Sequence, residues 1–166
     1  MALRPRLLLF ISSIAILMPP VYAETHPAAD RILILKSAHQ MELLSHGAVL
    51  KTYRISLGDP NGPKRQAGDK KTPEGVYFVD AKNPHSLFHR ALRLSYPNAA
   101  DRARARALGV SAGGDVEIHG LPRGYAWIGS SQRIIDWTAG CISVTNPEID
   151  EIWQYVAVGT PVEIRP

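Results

Sequence analysis

Cys141 is the only cysteine in a chain of 166 residues, and it follows Gly140 directly in the stretch WTAGCISVTN. A lone cysteine cannot make an internal disulfide, so it is a buried small hydrophobe, an intermolecular partner or a reactive thiol. Reactivity needs a base or a positive charge close by, because the thiolate is the nucleophile. Acyl transfer also needs backbone N–H groups aimed at the oxyanion that develops on the attacked carbonyl. Gly140 suits that second need, since a glycine lets the backbone turn consecutive amides toward one point. A tight turn without chemistry uses the same pair. For the base there are six histidines. His26 falls near the N-terminus, His39 and His46 sit in or beside turns, and His85 and His89 flank SLF ahead of a strand. His119 differs: it ends the apolar run DVEI and is followed at once by Gly120, Leu121 and Pro122. A histidine at the mouth of a strand can be aimed by a backbone carbonyl while its other nitrogen faces outward. A zinc site gathering Cys141, His119 and His85 or His89 is the other use of these residues, but their spacing follows no zinc-ligand pattern.

These side chains need a scaffold. Residues 32–35, 40–44 and 49–56 are strand-like runs separated by KSAH and SHG, which together predict a β meander. Residues 58–75, GDPNGPKRQAGDKKTPEG, are dense in Gly, Pro, Asn, Asp and Lys. They must be loop, and a loop of that length inside a domain is functional more often than idle. GVYFVDAK, FHRALRLSY, GGDVEIHG and TPVEI are further strand candidates. Two helices interrupt them. Asn98 caps an Ala/Arg/Leu run that Gly109 ends, with Arg102, Arg104 and Arg106 on a solvated face. Thr145 or Asn146 caps the second, with Pro147 in its first turn and Ile149, Ile152, Trp153 and Val156 as its apolar stripe. Many short strands with one or two short helices predict a mostly-β domain, a sandwich or partly open barrel.

The N-terminus reads as an export signal. Arg4 and Arg6 precede an apolar run from Leu7 to Met18, then Pro19, Pro20 and the small-residue end Val21-Tyr22-Ala23. An apolar core of about a dozen residues is short against the roughly 20 needed to span a bilayer. The expectation is a signal peptide over 1–23, a linker over 24–30 and a single domain over 31–166, without stable membrane insertion. Losing Arg4 and Arg6 takes the formal net charge from +4 to +2. Such mild basicity suits an anionic partner but does not argue for nucleic acid, and no aromatic-basic interleaving of the base-stacking kind is present.

EIHG, an intervening loop and WTAGCISVTN resemble the signature of the L,D-transpeptidase catalytic domain, also called the YkuD domain, and KTPEGVYFV is similar to another stretch of that family. The resemblance runs from RILILK to PVEI, essentially the whole chain after the leader. It implies an exported enzyme of the periplasm or cell wall that acts on peptidoglycan stem peptides and, in some relatives, on a wall-linked lipoprotein. Cys141 corresponds to the nucleophile, His119 to the general base, and Gly140 with Cys141 to the oxyanion-hole amides. Thr138 falls on the family's Ser/Thr position, and Thr138 and Gly120 are assigned to substrate binding. Arg123 and Arg133, in the loop joining the motifs, are candidates for a substrate carboxylate or are solvated. The family chemistry needs no metal and no organic cofactor. Ala139 stands where many members have a second histidine, Ser143 where many have arginine or asparagine, and His119 and Cys141 are 22 positions apart, longer than usual. These departures leave open whether an amine or water is the acceptor, or whether the chain only binds peptidoglycan.

Overall fold

The computed structural model describes residues 28–166, so the leader read over 1–23 and most of the linker lie outside the described residues. The predicted meander is present as β1 (Arg31–Leu35), β2 (Gln40–Ser45) and β3 (Ala48–Arg54). Its alternation does what period two requires: Ile32, Ile34, Met41 and Leu43 are buried while their sequence neighbours face outward. β4 (Gly75–Asn83), β5 (Ala91–Leu94), β6 (Glu117–His119), β7 (Ile142–Ser143) and β8 (Pro161–Arg165) complete one sheet in the order β3-β2-β1-β8-β4-β5-β6-β7. The last strand therefore pairs in the middle, parallel to β1 and antiparallel to β4.

The two edges of this sheet are not apart. Past β3 the chain continues to Ser56, which exchanges both backbone hydrogen bonds with Ser143 of β7, at 2.9 and 2.8 Å. One bridge thus joins first edge to last, and the mostly-β, partly open barrel read from the sequence is what forms.

α2 (Asn146–Tyr155) follows β7 directly, capped by Thr145, whose side chain and Glu148 form a reciprocal capping box, with Pro147 in the first turn. It buries Ile149 and Ile152 in the cluster formed by Ile118, Ile142, Val162 and Ile164. Each such side chain removed from water contributes roughly 1.5–3 kcal/mol. α1 (Ala99–Ala107) is capped by Asn98 as expected, with Asp101 completing a capping box. Its arginine face is not all solvated: Arg104 is half-buried and pairs with Asp101. Residues Ala126–Ile134, within the loop expected between the two motifs, form a 3₁₀ segment kinked at Gly129. Among the described residues no helix is long and apolar enough to cross a membrane.

Candidate active site

The turn from Thr138 to Cys141 is built by its own hydroxyl. Thr138 Oγ1 donates to the Cys141 carbonyl at 2.8 Å and accepts from the Gly140 N–H at 3.2 Å. Thr138 N in turn donates to the Leu57 carbonyl at 3.1 Å, which ties the turn to the chain beyond β3. Gly140 has φ +121, and a β-carbon there would sit 2.7 Å from the Lys71 carbonyl oxygen. No other residue fits both the dihedral and the approach of the loop above it. Gly140 therefore lets the 58–75 loop lie directly on the cysteine turn.

His119 ends β6 on the strand beside this turn. The parallel register pairs Ile118 with Ile142 and His119 with Ser143. Side chains alternate along a strand, so Cys141 and Ser143 share a face with Glu117 and His119. Cys141 then lies one step along from the partner of His119 on that shared face. The imidazole is almost wholly buried, with 1% of His119 exposed. Its ring stacks on Phe88, centroids 4.3 Å apart, and meets Trp137 edge-on at 5.8 Å. Nδ1 lies 2.7 Å from the Gly120 carbonyl. A carbonyl can only accept, so the proton sits on Nδ1 and Nε2 keeps its lone pair. Burial lowers the His119 pKa to about 4, only partly opposed by that carbonyl, so the ring is neutral at physiological pH.

The sulfur is less enclosed. Cys141 is partly exposed and lines a cavity of about 370 Å³ with Lys64, Lys70, Asp115, Ala139 and Gly140. Its thiol donates to the Asp115 carbonyl at 3.5 Å rather than to the imidazole. Burial pushes the Cys141 thiol above its ordinary range. The Glu117 N–H opposes this, the Glu117 and Asp115 carboxylates add to it, and the Lys64 ammonium offsets part of it. The resting arrangement is thus a neutral thiol and a neutral imidazole on one face, not an ion pair.

The other residues singled out in the sequence are placed as follows. A β-carbon on Gly120 would meet Asn146 Oδ1 at 2.7 Å, so its smallness admits the start of α2, while its carbonyl holds His119 Nδ1. Thr138 acts within the turn. Arg133 pairs with both carboxylate oxygens of Glu148 at the start of α2, and Arg123 Nε donates to the Ser86 carbonyl at 3.0 Å. Neither arginine lines the Cys141 cavity. His89 Nε2 is held by Asp150, and among the described residues no group of three or more His, Cys, Asp or Glu could hold a metal ion. Ser143 is fully buried in the bridge to Ser56. Three participants escaped sequence reading: Phe88 and Trp137, which enclose the imidazole, and Lys64, which brings a cation to the sulfur. Only the third left a signal, in the composition of the long loop.

Comparison with known proteins identifies the family of the chain. Residues 29–164 match the family model of the L,D-transpeptidase catalytic domain, YkuD. The chain is 33% identical over 140 residues to the Escherichia coli K12 protein named "Putative L,D-transpeptidase YafK", covering 82% of this chain and 47% of that one. It thus spans about half the length of the curated relatives it matches. Among solved structures it is similar to Pgp2, the helical cell shape determining protein of Campylobacter jejuni, with a TM-score of 0.64, 26% identity, and coverage of 84% of this chain and 48% of that one. An L,D-transpeptidase from Mycobacterium smegmatis shares the fold, with a TM-score of 0.55 at 20% identity over 83% of this chain and 59% of the other.

Proposed function

The chain belongs to the L,D-transpeptidase catalytic domain family, and from that premise we propose that it is an exported cysteine acyltransferase of the periplasm or cell wall that acts on peptidoglycan tetrapeptide stems. The observation that carries the reading is the pairing of β6 with β7, which sets a tautomer-fixed, neutral His119 diagonally across from the cavity-lining Cys141. The lone pair on His119 Nε2 takes the thiol proton as Sγ attacks the carbonyl carbon of the stem's third residue, a diamino acid. The amide C–N bond to the terminal D-alanine breaks, the imidazolium returns the proton to the departing amine, and a thioester remains. An amine from another stem's side chain or a lipoprotein lysine then attacks the thioester, gives its proton to His119 Nε2 and forms a new amide, and the sulfur leaves as thiolate and takes that proton back. For the oxyanion the resting turn offers the Cys141 N–H first, because the Gly140 N–H already donates to Thr138 Oγ1. The likeness to Pgp2 supports a role in cell-wall organisation and cell shape.

One observation favours a second reading, in which water resolves the thioester and the enzyme is an L,D-carboxypeptidase or an amidase that frees a wall-linked lipoprotein. Ser143 lies opposite His119 in register, and among the described residues its buried hydroxyl meets no hydrogen-bond partner. A hydroxyl left unpaired on the face that carries the imidazole is a group that a water could bridge. Incubating the protein with purified tetrapeptide muropeptides separates the readings by product mass: dimers mean transfer, shortened stems or freed lipoprotein peptide mean hydrolysis. An intact-mass adduct with a carbapenem on wild type and none on Cys141→Ser ties the thioester to the sulfur. A Cys141→Ala variant that binds sacculi and functions in cells as well as wild type would make the chain a binding module and end the enzyme reading.

A further inference from the structure

We propose that Lys64 is a positioning residue for the nucleophile: a buried ammonium, clamped by Asp69 against the cysteine turn, that supplies the fixed positive charge favouring the Cys141 thiolate. Lys64 sits in the loop over the turn, with 5% of it exposed, where a lysine is normally found only when paired. Its Nζ donates to Asp69 Oδ1 at 2.6 Å and to the Gln66 carbonyl at 3.1 Å. Two of its three N–H groups are engaged in this way, and the stem runs along the cavity wall. A β-carbon on Gly113 would meet Lys64 Cε at 3.7 Å, and one on Gly140 would meet Nζ at 3.9 Å. The ammonium is therefore one residue from the nucleophile and lines the same cavity.

Asp69 holds it there. Burial would raise the Asp69 carboxyl, yet the Lys64 ammonium and the N–H groups of Arg65, Gln66 and Lys71 hold it down at about 2, so the carboxylate stays charged. The other charged groups near Cys141 are the carboxylates of Asp115 and Glu117 and the exposed Lys70 of the same cavity, with Arg93 beside Glu117; His119, on the neighbouring strand, is neutral. Against two carboxylates and a desolvated sulfur, a cation that cannot swing away has an effect that an exposed lysine lacks.

The inference rests on Cys141 being the nucleophile, but its test needs no substrate. Iodoacetamide labelling of Cys141 is followed by intact mass across pH 6–10 in the full-length protein. Lys64→Met is expected to slow labelling at pH 7 on the order of tenfold, the effect of one charge acting over several ångströms of partly desolvated medium, and to move the pH–rate profile to the alkaline side. Lys64→Arg keeps the charge and stays within about twofold of wild type. Lys70→Met removes an exposed cation from the same cavity and changes the rate less than about twofold. Asp69→Asn keeps an Oδ1 acceptor for Nζ while removing the countercharge, and speeds labelling. Loop damage would shift Lys64→Met and Asp69→Asn the same way, so their opposite signs separate charge from structure, and thermal unfolding of each variant shows which are folded. A Lys64→Met profile that superimposes on wild type, or a Lys64→Arg variant as slow as Lys64→Met, overturns the proposal. Wild-type protein that follows this pattern yet forms no acyl product from stem peptides sinks the functional reading and leaves the role of Lys64 standing.

Discussion

Two loops close on the cysteine turn, and they are held by opposite physics. The 58–75 loop is pinned from inside by charge. Lys36, wholly buried, donates to the Gly62 carbonyl at 2.8 Å, the Thr72 carbonyl at 3.1 Å and Glu74 Oε1 at 2.7 Å. Lys64 and Asp69 repeat the device farther along, with Asp69 also accepting from three backbone N–H groups. Residues 121–138, on the His119 side, are anchored near their end. Trp137 Nε1 donates to Gln132 Oε1 at 2.8 Å, Ser56 Oγ to the Ile135 carbonyl at 2.7 Å, and Asp136 bridges Leu57 N and His39. Along the same segment the side chains of Tyr125, Trp127, Ile134 and Ile135 stand exposed. The charged loop brings the Lys64 ammonium to the cavity that Cys141 lines. The apolar loop encloses the imidazole and keeps it neutral. A neutral thiol and a neutral imidazole thus border two unlike walls.

The contrast can be broken at its strongest point. Lys36→Met leaves Glu74 and two carbonyls without their cation, and removing one partner of a buried pair costs about 4 kcal/mol. Urea unfolding measures it, and a loss under about 1 kcal/mol would mean the loop holds without its inner charge. On the other wall, the neutrality of His119 has a pH signature. Its folded pKa of about 4 lies below the unfolded 6.5, so the unfolded chain binds the proton more readily between those values. Stability is full above pH 6.5 and falls as pH drops toward 4, by about 3 kcal/mol. His119→Asn should flatten that slope in parallel denaturation curves, and an unchanged slope would assign it to other groups. Gly140→Ala forces a β-carbon toward the Lys71 carbonyl at an unfavourable φ, at a cost of about 2 kcal/mol together with loss of carbapenem capture. Trp137→Phe keeps the ring over His119 but deletes the bond to Gln132, about 1 kcal/mol by thermal melt. Ile134→Ser, at a side chain 81% exposed, should stay within about 0.5 kcal/mol. A larger change would give the apolar wall a structural part it lacks here.

Local signals were legible where one element carries its own pattern. The alternation in β1 and β2, the Thr145–Pro147–Glu148 start of α2 and the Asn98 cap of α1 all lie within a few residues of what they specify. β7 was not legible, because two residues show no period. The 3₁₀ segment was hidden by the prolines and glycines around it, which read as loop. Arg133 could not be assigned in advance, since its carboxylate partner lies 15 positions away on α2.

By itself the chain determined the chemistry available: one thiol behind a glycine, one histidine at the end of a strand with a glycine after it, and a long loop dense in Gly, Pro, Asp and Lys, of a length that is functional more often than idle. Tertiary structure alone decided how those groups meet. The parallel pairing of β6 with β7, the bridge from Ser56 to Ser143 and the seating of Lys64 beside Gly140 all join residues well separated along the chain. Such contacts follow from closing the sheet around one core, and no window of sequence contains both partners.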